Sequence, residues 1–256
     1  MPLLYKLLFI QPVILPALLA AQSVSAAPKG NVFETKGKGY TFSYSYPNII
    51  GQFPVLKAQL EKERAETLAE IKSDSSAWIK DRPTDYEAMT LDRDISWNQV
   101  TNLAGYLSLT VDEYRFDGGA HGNYGRSSVI WGKATGKQIV PIDMFSSKAA
   151  FDTLVQTPFC DKLDIERSHK RDGEKVDRSQ TEDWMQACPI PSDYTIILGS
   201  SDGKKFNRFS VYIDPYGAGP YSEGDYEIDM PITAELLAAV KQAYQSAFAL
   251  TPRARK

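Results

Sequence analysis

The chain has 256 residues, with 29 Lys and Arg against 32 Asp and Glu and a formal net charge of −3 at pH 7. This mildly acidic balance argues against a nucleic-acid-binding protein, because the neutralisation of phosphates requires a concentrated basic surface. The length is sufficient for one large domain or two small ones, each with its own hydrophobic core.

Residues 1–26 have the pattern of a secretory signal peptide. Lys6 precedes an uncharged apolar run from Leu7 to Ala21, and Val24-Ser25-Ala26 supplies small side chains at a cleavage site. A retained membrane anchor is the alternative, but the run is shorter than the roughly 20 residues that span a bilayer, and Pro12 and Pro16 interrupt it. We therefore expect a periplasmic or secreted protein with no membrane span after cleavage.

Residues 27–132 are predicted to form a first α+β module. Alternating aromatic and small polar residues predict a half-buried strand over Tyr40–Tyr46. A helical pattern follows from Phe53 to about Lys80, with the apolar side chains on one stripe. Period-two alternation then predicts three successive antiparallel strands, over residues 86–98, 103–116 and 124–132.

A glycine-rich turn, Asp117-Gly118-Gly119-Ala120-His121-Gly122-Asn123, separates the last two of these strands. His121 is a candidate general base or metal ligand. A zinc site needs three or four ligands, and the only other histidine, His169, lies in a charged segment. The pattern therefore favours a turn in which the glycines adopt unusual backbone angles and His121 forms a local hydrogen bond. His121 is still included among the candidate ligand-binding residues.

Residues 133–250 are predicted to form a second α+β module. A helix is expected from Ser147 to about Leu163, although Pro158 must bend or split it. Thr233 is expected to cap a final helix whose buried stripe reaches Phe248. The strands are predicted at 138–141, 194–198, 206–213 and 225–231, and residues 251–256 are expected to be a disordered tail.

The only two cysteines, Cys160 and Cys188, are expected to form one structural disulfide, because the chain is exported. The enclosed residues 161–187 are highly charged and have little to bury, so a covalent link at the base of the segment is useful. The spacing lacks the CxxC arrangement of a redox-active pair.

The most unusual segment, residues 214–224, carries two Pro-Tyr pairs, Pro215-Tyr216 and Pro220-Tyr221. Proline restricts the backbone and tyrosine offers a broad amphipathic ring, a combination suited to a rigid protein-binding loop. A well-packed hairpin loop explains the pattern equally well. We take these four residues, with His121, as the candidate ligand-binding residues. On the next strand, alternation predicts one acidic face formed by Asp225, Glu227 and Asp229.

The sequence contains none of the common catalytic motifs. A Gly-x-Ser-x-Gly elbow, a His-Glu-x-x-His pair, a phosphate-binding loop and a dinucleotide fingerprint are all absent. No cysteine remains free to act as a nucleophile if the two form a disulfide. We therefore expect a protein that is not an enzyme and that uses neither a cofactor nor a metal.

Three motifs occur in a characteristic order. They are Gly118-Gly119-Ala120-His121-Gly122-Asn123, then Thr135-Gly136-Lys137 with Ile142-Asp143-Met144-Phe145, then the loop with two Pro-Tyr pairs. This series resembles the extracytoplasmic domain of the RsiV-like anti-sigma factors, which also accompanies some peptidoglycan deacetylases of the PdaC type. The resemblance covers roughly residues 33–248.

The resemblance implies a non-catalytic domain of two consecutive α+β modules. In the anti-sigma members this domain binds c-type lysozyme, a basic protein, partly through loops that occupy the lysozyme cleft. By position, Pro215–Tyr221 is the matching loop. We find neither a sigma-binding segment nor a polysaccharide deacetylase domain in the sequence, so we expect neither sigma-factor control nor deacetylation.

Our leading hypothesis is an exported, non-catalytic binding protein of the cell envelope, with lysozyme, a related envelope protein or a cell-wall glycan as partner. The alternative is a peptidoglycan hydrolase or modifying enzyme that uses His121 and nearby carboxylates. A purely structural envelope protein is the third possibility.

Overall fold

A computed structural model describes residues 30–81 and 90–252 of the chain. The predicted signal peptide and residues 253–256 of the predicted tail lie outside the described residues. The helices are α1 (Pro54–Asp81), α2 (Lys148–Lys170) and α3 (Ala234–Ala238). The strands are β1 (Asn31–Gly37), β2 (Tyr40–Tyr46), β3 (Leu91–Asn102), β4 (Tyr106–Phe116), β5 (Asn123–Gly132), β6 (Lys137–Ile139), β7 (Thr195–Gly199), β8 (Arg208–Ile213) and β9 (Tyr226–Pro231).

The first sheet has six strands in the order β1-β2-β3-β4-β5-β6. Neighbouring strands run antiparallel except β2 and β3, which run parallel. A parallel pair requires a long crossover connection, and α1 lies between β2 and β3 in the chain. The predicted α+β class, with two modules of antiparallel sheet packed with helix, is confirmed, and the parallel pair of β2 and β3 is the one departure among the described strands.

Helix α1 covers one face of the first sheet. Its side chains Leu56, Leu60 and Ile71 are fully buried. They face the aromatic side of β2, where the predicted alternation is confirmed by the burial of Phe42 and Tyr44. The opposite face of this sheet is therefore left to meet the second module.

The second sheet is antiparallel, in the order β7-β8-β9, and α2 packs on its apolar face. The sequence predicts a bend or a split at Pro158; the helix is not split there, since α2 is continuous. Pro158 and Leu154 both lie on the exposed side of the helix, so the Leu154 carbonyl that loses its backbone donor faces water.

The C-terminal helix is much shorter than predicted. Thr233 caps α3 as expected, and its hydroxyl accepts a hydrogen bond from the Leu236 amide (3.2 Å). Beyond α3 the chain instead makes two isolated bridges, between Val240 and Phe145 and between Phe248 and Phe206, with a turn and the short 3-10 helix Gln245–Ala247 between them. These tertiary contacts override the helical periodicity.

Hydroxyl groups join the two sheets along the outer edge of β7. Ser108 Oγ donates to the Leu198 carbonyl (2.7 Å), and Ser128 Oγ donates to the Ile196 carbonyl (2.6 Å). An edge strand exposes unpaired backbone groups, and these serines satisfy two of them. The second sheet therefore lies against the face of the first sheet that is opposite α1. The predicted boundary at residues 132–133 stays a prediction, and β6 pairs with β5 of the first sheet.

Candidate functional site

The candidate ligand-binding residues meet at one place. His121, from the loop between β4 and β5, stacks on Tyr221, from the loop before β9, with ring centroids 3.9 Å apart. Tyr216 lies 5.5 Å from Tyr221, and Tyr124 packs edge-on against it at 6.1 Å. We call His121, Tyr124, Tyr216 and Tyr221 the aromatic cluster. The tertiary structure thus joins two loops that are distant in the sequence.

Hydrogen bonds hold the two loops together. The Tyr221 hydroxyl donates to the Gly122 carbonyl (2.7 Å), and His121 Nδ1–H donates to the same oxygen (2.9 Å). Gly118 and Gly119 have φ angles of +87° and +119°, as predicted for this turn. A side chain at buried Gly122 would collide with the Tyr114 ring.

Within the described residues, a turn carbonyl and the stacked Tyr221 ring, and not a carboxylate, orient the His121 imidazole. A general base is normally held by a hydrogen bond to a carboxylate or carbonyl and has a free nitrogen aimed at the substrate. In the described part of the chain, His121 makes no hydrogen bond to a carboxylate, and its Nδ1 is engaged by the turn. Among residues 30–81 and 90–252, no group of three or more His, Cys, Asp or Glu is placed to hold a metal ion.

Tyr216 combines exposure with an unfavourable backbone conformation. Its side chain is 54% exposed, and its φ angle is +70°. For a residue other than glycine this left-handed conformation costs about 1–2 kcal/mol. The following residue is anchored, because the Tyr194 hydroxyl donates to the Gly217 carbonyl (2.9 Å). The surrounding structure therefore holds the backbone of Tyr216 in a conformation that a free chain would rarely adopt. The exposed ring is fixed in place as a result.

A buried arginine supports the loop that carries Tyr216 and Tyr221. The side chain of Arg167, near the end of α2, is fully buried. Its guanidinium donates to the carbonyl of Ala218 (2.9 Å) within the loop. It also donates to three carbonyls of the segment after α2, those of Trp184, Gln186 and Ala187.

Arg167 corrects the expectation that residues 161–187 have little to bury. The sequence does contain a pattern that indicates the burial of Arg167. Phe159, Leu163 and Arg167 follow one another at four-residue spacing and so lie on the same side of α2. The stripe of buried residues therefore continues into the charged segment.

One turn further along, Arg171 forms a two-pronged ion pair with Glu223. Arg171 Nε lies 2.8 Å from Glu223 Oε1, and Nη2 lies 3.0 Å from Oε2. Tyr226 also donates its hydroxyl to Glu223. Burial by itself would raise the pKa of Glu223, but these two donors outweigh it and hold the pKa below its usual value.

Replacing Glu223 with glutamine is expected to reduce the loss of stability in acid. Because the folded-state pKa is depressed, ionised Glu223 contributes stability above its unfolded pKa of about 4.3, and the contribution is lost as the pH falls through the folded value. Urea unfolding at a series of pH values should show a shallower acid decline for Glu223→Gln than for the wild type.

The matched control is Glu182→Gln, at an exposed residue that forms no ion pair within the described chain. Its pH profile should follow that of the wild type. Identical acid declines for wild type and Glu223→Gln would contradict the assigned role of the Arg171–Glu223 pair.

The predicted disulfide is confirmed. Cys160, in α2, is bonded to Cys188, with the Cα atoms 5.7 Å apart. Gln156 Nε2 donates to the carbonyl of Pro189 (3.0 Å) beside the bridge. The disulfide and Arg167 thus hold the same segment against α2 from two sides. A disulfide is typical of proteins that reside in oxidising compartments.

The predicted two faces of β9 are also confirmed. Glu227 and Asp229 are exposed, whereas Tyr226, Ile228 and Met230 are buried. No helix in the described ranges, 30–81 and 90–252, is both long and apolar enough to span a membrane.

Part of the chain matches a known family. Residues 34–124, which include the second half of β1, β2–β4, α1 and the His121 turn, match the family model described as deacetylase PdaC. This match covers less than half of the chain. No curated protein matches the sequence.

Two solved structures align with most of this chain. A DUF3298 family protein from Bacteroides fragilis NCTC 9343 superposes with a TM-score of 0.54 at 14% identity, covering 85% of this chain and 95% of that one. A DUF3298 family protein from Pseudomonas aeruginosa PAO1 superposes with a TM-score of 0.48 at 15% identity, covering 86% and 97%. At such identities the likeness concerns the fold alone.

Proposed function

We propose that this chain is an exported, non-catalytic binding protein of the cell envelope, and that a protein partner docks on the aromatic cluster. The observation that carries the proposal is the placement of Tyr216. Its backbone is held at a positive φ, and its exposed ring lies beside Tyr221, which stacks on His121. Rigid, amphipathic rings of this kind dominate protein interfaces, because little conformational entropy is lost when they bind.

The supports of the loop favour binding over mere packing. An ordinary connecting loop is mobile and tolerant of change. Here Arg167 anchors Ala218, between the two tyrosines. Arg171 anchors Glu223, just after Tyr221. Such preorganisation lowers the entropic cost of docking.

We take a c-type lysozyme, or a related basic protein of the cell envelope, as the partner. The resemblance to RsiV-like domains is the reason for naming lysozyme, and the mild net charge of −3 is compatible with a basic partner. The match of residues 34–124 to the deacetylase PdaC model supports a role at the cell envelope, since the same resemblance connects this domain with peptidoglycan deacetylases.

Two replacements of Tyr216 are expected to weaken lysozyme binding equally but to differ in their free energy of unfolding. Tyr216→Gly and Tyr216→Ala should each weaken binding to immobilised hen lysozyme at least tenfold, or about 1.4 kcal/mol, because both remove the ring. Glycine relieves the positive φ, whereas alanine keeps it. The glycine variant should therefore be the more stable of the two by about 1 kcal/mol in urea unfolding.

The control is Val55→Ala, which removes an equally exposed apolar side chain from α1, outside the aromatic cluster. It should leave lysozyme binding unchanged. Absence of wild-type binding at micromolar concentrations would remove lysozyme as the partner. Release of soluble fragments from peptidoglycan by the wild type, abolished in His121→Ala, would contradict the non-catalytic assignment.

A further inference from the structure

A polar cleft of about 420 Å³ lies between the two sheets, on the side opposite both α1 and α2. It continues past Asn98, Asp112 and Arg126 into a second part of about 430 Å³, which ends at Tyr114 and Tyr124. We call these two parts together the inter-sheet cleft. Both modules contribute to its walls, so it exists only when the two sheets are docked.

The charge of the cleft is dominated by carboxylates. Arg126 lies at its centre, bonded to Asp112 on β4 and, through Nη1, to Glu227 on β9 (2.7 Å). Its positive charge is therefore already matched within the protein. The remaining charged lining residues are Arg208 and four carboxylates, those of Asp94, Glu113, Asp225 and Asp229. An anionic ligand would be repelled.

Besides the charge of the cleft, the hydroxyl of Thr110 indicates that a ligand binds there. Its side chain lines the cleft and the residue is only 6% exposed. In the described part of the chain its hydroxyl has no hydrogen-bond partner, whereas neighbouring Ser108 and Ser128 donate to β7 carbonyls. The oxygen of this hydroxyl opens to the cleft, so it is available to bond a group that enters.

We propose that the inter-sheet cleft binds an oligosaccharide of neutral or amino sugars. Sugar hydroxyls both donate and accept, and the cleft offers Arg208 as a donor, Asp229 and the amide oxygen of Asn98 as acceptors, and Thr110 as either. The excess of carboxylates selects against acidic sugars and favours an ammonium group.

The tyrosines at the far end of the cleft fit the same ligand. Tyr114 and Tyr124 are directly opposite each other on β4 and β5, and their side chains are 37% and 36% exposed. Their rings offer an apolar surface on which the C–H face of a sugar can pack. This inference goes beyond docking of a protein on the aromatic cluster, because it concerns another class of ligand and a cleft that meets the cluster only at Tyr124.

Isothermal titration of the full chain tests the proposal with four probes: the tetrasaccharides of N-acetylglucosamine, glucosamine and galacturonate, and a lysine tetrapeptide. We expect the first two to bind and the galacturonate not to bind. Thr110→Val should weaken saccharide binding about three- to tenfold, the effect of one hydrogen bond, without lowering the melting temperature.

The matched control is Thr101→Val, at an equally buried threonine of β3 that lines neither part of the cleft. It should leave saccharide affinity unchanged, as should Tyr216→Gly, which separates this site from the proposed protein-binding surface. Absence of binding by both neutral and amino saccharides would overturn the proposal. Binding of the lysine peptide alone would assign the cleft to a basic polypeptide instead, and undiminished affinity in Thr110→Val would also overturn it.

Discussion

Replacing Arg167 with methionine is expected to lower the free energy of unfolding by about 3–5 kcal/mol, the largest effect of any single substitution that we propose. Methionine preserves much of the buried volume but donates no hydrogen bond. The carbonyls of Ala218, Gln186 and Ala187 would each lose a donor in a buried setting. Arg167→Lys should lose most of the same stability, since one ammonium cannot reproduce a planar fork with several N–H donors.

Arg178→Met is the matched control for this prediction. Arg178 lies in the same charged segment and pairs with Asp161 and Asp164, but its side chain is 38% exposed. Surface pairs contribute little, so a loss below about 1 kcal/mol is expected. Urea unfolding followed by circular dichroism measures both. Equal losses for Arg167→Met and Arg178→Met would show that the buried guanidinium does not support the loop.

The second large effect is expected from removal of the disulfide. Cys160 and Cys188 are separated by 28 residues, and closing such a loop stabilises the folded state by about 3–4 kcal/mol in the chain-entropy model. The Cys160→Ala/Cys188→Ala double variant should lose about this amount and should be cut sooner by protease in the enclosed segment.

Reductant provides the internal control for the disulfide. It should lower the urea midpoint of the wild type toward that of the double variant and should leave the double variant unchanged. A wild type whose unfolding midpoint does not respond to reductant, once the bridge is shown to be open, would refute the assigned stabilisation.

The sequence predicts well those features that depend on local periodicity. Tyr40–Tyr46 alternates every second residue, and its aromatic side chains are buried as expected. The long helix over Pro54–Asp81 and the two faces of β9 follow from the same type of pattern. These elements were predictable because neighbours along the chain determine which side of a strand or helix is apolar.

The candidate site was predicted only as separate parts. Tyr216, Tyr221 and His121 attract attention by their composition and turn context, but their contact joins residues about a hundred positions apart, as the Tyr221–Gly122 hydrogen bond shows. No periodicity connects such positions. The support from Arg167 was missed because a charged residue on a helix is normally solvated.

By itself, therefore, the sequence determined the α+β class, the main helices and strands, the cysteine pair and the unusual tyrosine loop. The tertiary structure alone decided that β2 and β3 run parallel, that α3 stops at Ala238, and that a polar cleft opens between the sheets. The physical reason is the range of the interactions: propensity and alternation act over a few residues, whereas strand pairing, buried hydrogen bonds and clefts depend on segments that meet only after folding.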